Sequence, residues 1–166
     1  MTLRNIPAII LFCVLSLAFA LPAAAQKRDH LTEQEIDLIR DFQEIDKRVE
    51  IFIKCAERRL LLMTGAEPNQ SKREEEMWGP WPFGTKLQLL QDYKGIMSEA
   101  MEKLEDAYER DPKSSALAKG LKKFKEAATR HIPQLRSFAP QLKDKKEQEA
   151  LLIAIEEAET ATKGTT

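Results

Sequence analysis

Hydrophobic positions recur along this chain in steps of three and four. The longest series is Leu38, Phe42, Ile45, Val49, Phe52, Ile53, Ala56, Leu60 and Met63. At about 100° per residue these side chains fall on one face of a helix, and the alternating steps resemble a coiled-coil seam. Thr32 and Glu35 have the spacing of a capping box, with Leu31 and Ile36 placed as a hydrophobic staple. Gly65 supplies the stop. The pattern predicts one helix over 33–64.

A second stripe, from Leu87 through Leu90, Tyr93, Met97, Ala100, Met101 and Leu104 to Tyr108, predicts a helix over 86–110, capped by Thr85 and Gln88. Gly95 inside it costs about 1 kcal/mol relative to Ala. A third stripe, Leu117, Leu121, Phe124, Ala128, Ile132, Leu135 and Leu142, predicts a helix over 112–142, with Asp111 as cap and Pro112 in the first turn. Pro133 and Pro140 sit on its opposite face, so this helix either bends or breaks near Ile132 or Ala139. The last stripe, Ala150, Leu151, Ala154, Ala158 and Ala161, predicts a helix over 145–162 that begins near Asp144 and ends at Gly164. Leu152, Ile153 and Ile155 lie off that stripe, as in a helix that is central or at an interface.

No segment alternates as a strand does. The predicted fold is all-α: an elongated, mainly antiparallel bundle of about four long helices, with an aromatic loop between the first two. It forms a single domain over 32–164, preceded by a flexible arm over 26–31.

Residues 1–25 read differently. Arg4 precedes an apolar run from Ile9 to Leu21, and Ala23-Ala24-Ala25 offers small residues before Gln26. This is the layout of a cleaved signal peptide. The run is shorter than the roughly 20 residues a membrane span needs. The expected location is exported, periplasmic or extracellular, with no membrane span after cleavage.

Charge and cysteine content narrow the field further. The 26 basic and 27 acidic residues leave a net charge of −1, which argues against a nucleic-acid partner, since that needs a basic excess. Cys13 leaves with the leader, so Cys55 remains alone in a disulfide-permissive compartment. It falls on the flank of the first helix: inert if half-buried, a candidate for an intermolecular disulfide if exposed. His131 projects onto the core face of the third helix, as a hydrogen-bonded core residue rather than a ligand. No catalytic motif, metal pattern or cofactor-binding motif occurs.

The segment 65–84 carries the strongest candidate for binding. Ser71 and Glu74 can cap one short turn of helix through Met77. Trp78, Trp81 and Phe83 then follow, stiffened by Pro80 and Pro82. Prolines lower the cost of presenting rings to a partner or ligand. Equally, large apolar rings can fold back and plug one end of the bundle.

Two short resemblances are present. Residues 93–112 resemble the second half of a tetratricopeptide repeat, with Gly95, Ala100, Ala107 and Pro112 at matching offsets. That would imply an interaction module, but the 34-residue register continues neither forward nor back. Leu31-Thr32-Glu33-Gln34-Glu35 resembles the Leu-Thr-x-x-Gln motif of Spy-type envelope-stress chaperones, with Glu35 in place of the final Gln. That would imply an ATP-independent periplasmic chaperone.

The reading favoured by the sequence is an exported, non-enzymatic helical binding or structural protein of the cell envelope. Its expected partner is a protein, with a homodimer left open, and it needs no cofactor and no metal. A chaperone and a tetratricopeptide-like module are the alternatives.

Overall fold

The computed structural model describes residues 29–66 and 69–163. The expected signal peptide, the first half of the arm (26–28) and Gly164 lie outside the described residues. Within them the chain is helical, with no strand: α1 Glu33–Asp41, α2 Ile45–Met63, α3 Lys72–Trp78, α4 Lys86–Arg110, α5 Ser115–Ser137 and α6 Lys145–Lys163, plus a 3-10 turn at Ala139–Gln141. No described helix is long and apolar enough to cross a membrane.

The first predicted helix is two. The chain leaves the helix at Phe42, which is extended (φ −92°, ψ 115°), and re-enters it at Ile45. A continuous helix would put residues 23 apart about 35 Å from one another. Here Glu35 bonds directly to Arg58 and Arg59, so α1 must fold back along α2. Neither Gly nor Pro marks the bend. Gln43 Nε2 donates to the Arg40 carbonyl and Arg48 Nε to the Phe42 carbonyl, which satisfies acceptors exposed by the break.

The other boundaries follow local chemistry. Capping boxes close at Thr32/Glu35, Ser71/Glu74 and Thr85/Gln88. Gly65 follows α2 with φ +74°. α4 runs unbroken through Gly95, so the turn between helices that a tetratricopeptide repeat requires is missing. A Cβ at Gly95 would lie 2.9 Å from His30 Cγ, so the glycine makes room for the arm. The described part of the arm, Asp29–Leu31, packs on the helices: His30 Nε2 bonds to Glu99 at 2.9 Å and Leu31 is buried.

The third helix begins later and ends sooner than 112–142. Ser114, not Asp111, accepts from the first turn, at the Leu117 amide. Asp111 instead caps the preceding turn through the Lys113 amide. Pro133 is tolerated inside α5 on the exposed side, whereas Pro140 falls in the 3-10 turn after the helix has ended.

The core lies among the four longest helices. α2 packs mainly on α4 and α5, and α6 packs mainly on the same two. α4 and α5, although joined by a short turn, meet only sparingly. Phe52, Leu90, Ile96, Met97, Leu104, Leu117 and Leu135 fill the interior, each almost fully buried. The small stripe of α6, from Ala150 to Ala161, is buried too, while Leu152 and Ile153 on its outer side are exposed.

Candidate functional site

Two arginines next to each other on α2 organise the molecule's polar interior. Arg59 continues the series Val49, Phe52, Ala56 and Met63, so it is a charged residue on the apolar seam. Both guanidinium groups are nearly inaccessible and both donate to Glu35 Oε1, Arg58 at 2.8 Å. The other carboxylate oxygen, Oε2, accepts from the Thr32 amide at 2.9 Å. Arg59 also reaches the His30 carbonyl at 2.7 Å and the Cys55 carbonyl at 3.2 Å. Burying charge is tolerable only with such a set of partners.

Arg58 fixes the tryptophan loop. Its guanidinium donates to the carbonyls of Trp78 at 3.0 Å and Pro80 at 2.8 Å, with a longer contact to Gly79. It also sits 4.9 Å from the Trp81 ring centre and 5.7 Å from that of Trp78, inside cation–π range. Gly79 adopts φ 64°, ψ −168°, a region open essentially to glycine alone. A Cβ there would approach Gln34 Cγ to 2.6 Å.

The loop therefore divides. Trp78 and Trp81 fold back and are partly buried, and Pro82 is buried. Phe83 stands 84% exposed. Cys55 is fully buried and burial pushes its thiol pKa far upward, so it offers no surface thiolate for an intermolecular disulfide.

Beside the folded-back loop is a pocket of about 340 Å³ between α2 and α5. Lys54, Glu57 and Arg58 line one wall, Arg130, His131 and Gln134 the other, and Trp81 contributes from the loop. Apolar surface comes from Leu60, Leu61 and Phe138. Its volume falls in the range of small-molecule sites, which are concave and mostly apolar with a few converging polar groups.

His131 is 1% exposed and its two nitrogens differ. Nδ1 bonds to the Tyr93 hydroxyl at 3.1 Å, on the side away from the pocket. Nε2 has no hydrogen-bond partner. Its nearest charged neighbour is Glu57 Oε1 at 3.7 Å, beyond hydrogen-bond length, and Glu57 lines the pocket. The nearby carboxylate favours the proton on Nε2, so Tyr93 donates to Nδ1. The His131 contact lowers the Glu57 pKa most; burial opposes it, and Arg130, 3.2 Å away, lowers it further. Burial raises the Tyr93 pKa, which keeps the hydroxyl protonated. Trp81 Nε1, also buried, is a second donor without a partner.

The pattern of the sequence pointed to Trp78, Trp81 and Phe83, and to His131 as a core residue. Trp81 and His131 come together at the pocket, whereas Trp78 packs on the core and Phe83 faces outward. Arg58, Arg59, Glu57 and Arg130 were not picked out, and Glu35 was read as a capping residue and as part of the Leu31–Glu35 motif, not as a partner of buried arginines. A second pocket of about 300 Å³, lined by Met101, Leu104, Leu121 and Phe124 together with Lys122, Lys125 and Thr160, contains none of the buried polar atoms that lack a partner. Among the described residues no cluster of metal-binding side chains occurs. No family model, no curated protein and no solved structure matches this chain.

Proposed function

We propose that this chain is an exported, non-enzymatic binding protein of the cell envelope, in which an elongated, mainly antiparallel helical bundle carries a small-molecule site beside Trp81. Export rests on the layout of residues 1–25. The binding reading is carried by one observation: His131, which lines a pocket of ligand size, has a buried Nε2 with no acceptor within hydrogen-bond distance. A buried donor left unpaired costs about 1–3 kcal/mol, and a ligand acceptor would recover that cost.

The tryptophan loop serves this reading as a wall rather than as a docking finger. Arg58 holds the carbonyls at Trp78 to Pro80 and stacks against Trp81, so the pocket is preformed and little ordering is left to offset binding. Titration of the purified chain with benzoate, benzamide and benzylamine, followed by tryptophan emission and thermal unfolding, tests the reading. At least one compound is expected to bind at millimolar concentration and to lose its effect in Trp81→Ala. Failure of all three to bind would overturn it.

A further inference from the structure

Resting on that reading, we infer that the pocket selects a small organic acid, whose carboxylate accepts from His131 Nε2 and whose apolar body lies against Trp81 and Leu61. The donors and the charges agree. His131 Nε2 and Trp81 Nε1 are both buried and have no acceptor within hydrogen-bond distance, Nε2 facing Glu57 Oε1 at 3.7 Å. The walls carry three cations, Lys54, Arg58 and Arg130, against the one carboxylate of Glu57. Glu57 is already engaged by Arg130 at 3.2 Å. Arg58 in the wall and Arg59 behind it share the single carboxylate of Glu35, so Arg58 is only partly neutralised by that acid.

The size and the apolar share of the pocket favour a free molecule over a folded partner. About 340 Å³ is at the lower end of ligand sites. Leu60, Leu61 and Phe138 give the body of the ligand a surface that excludes water. An amine would meet the same cations and find no free carboxylate, and a neutral amide would gain the hydrogen bond without the charge.

Three ring compounds of similar size separate these cases: benzoate, benzamide and benzylamine, titrated calorimetrically into the full chain. Benzoate is expected to bind about tenfold or more tighter than benzamide, and benzylamine not measurably. Glu57→Gln removes the opposing charge and is expected to tighten benzoate binding about fivefold. Lys54→Gln is expected to weaken it, while Lys119→Gln, exposed on α5 away from the pocket, leaves it unchanged. His131→Gln is expected to weaken benzoate and benzamide alike, since both lose the same donor; if that variant does not fold, the Glu57 and Lys54 pair carries the test. Equal or tighter binding of benzamide or benzylamine would overturn the acid selectivity while leaving a binding site. Binding of none of the three would overturn both.

Discussion

Glu35 ties the start of α1 to the middle of α2. Its Oε1 holds Arg58 and Arg59, and its Oε2 closes the cap on Thr32. Removing one partner of such a buried set leaves the others charged and unpaired. Glu35→Ala is therefore expected to cost about 3–5 kcal/mol, read as a lowered midpoint in urea. A loss under about 1 kcal/mol would mean that the two arginines find other partners at little cost.

Glu57 ties stability to acid. Its pKa is lowered by His131 first and by Arg130 next, against burial. A carboxylate lowered on folding stabilises the native state above its unfolded pKa, and that contribution is lost as pH falls through the folded value. The chain should lose stability on acidification below the ordinary carboxylate range. In Glu57→Gln this part of the acid limb is expected to flatten. Thermal unfolding between neutral and acid pH reads it, and an unchanged slope would remove Glu57 from the account. Solvent screens this half-exposed group, so the effect should be small.

At the scale of elements, what is legible in the sequence depends on how local the cause is. α4 was readable to its ends because Thr85, Gln88 and an unbroken stripe are all local signals. The short α3 was readable from Ser71 and Glu74 in the same way. The bend between α1 and α2 was not, because its cause lies at Arg58 and Arg59, more than twenty residues on. The one visible hint was Arg59 itself, a charge on an apolar seam. The start of α5 shows a contest between two caps, Asp111 and Ser114, which local propensity does not settle.

The tryptophan loop is the element on which the site depends. Its turn needs Gly79, where φ is positive and Gln34 leaves no space for a Cβ. Gly79→Ala is expected to destabilise the chain by about 1–3 kcal/mol and to change the tryptophan emission of the folded state, as Trp78 and Trp81 leave Arg58. Calorimetric unfolding and emission spectra check this. Native-like emission with unaltered stability would show that the loop can be built without the glycine.

For the whole molecule, the all-helical class came from periodicity, and the set of packed faces did not. Consecutive helices α4 and α5 are poor neighbours, while α2 and α6 each pack on both of them. A short connection alone would have suggested the opposite. The candidate site depends on that arrangement, since it brings His131 of α5 to Glu57 of α2 and to Trp81 of the loop. Trp81 was legible as a residue with something to do. Its place in one pocket with His131 was not, because that is made by packing and leaves no spacing in the sequence.

The central claim is that a ligand enters between His131 and Trp81. The chain has two tryptophans, so a two-dimensional nitrogen–proton spectrum of the folded protein contains two indole N–H signals, from Trp78 and Trp81. Titration with benzoate is the most direct test, with the ring nitrogens of His131 followed in parallel. The expected result is a saturable shift of the Trp81 indole signal and of His131 Nε2, with one shared dissociation constant, while Trp78 moves little. Shifts confined to residues outside the pocket, or no shift at saturating benzoate, would contradict the account.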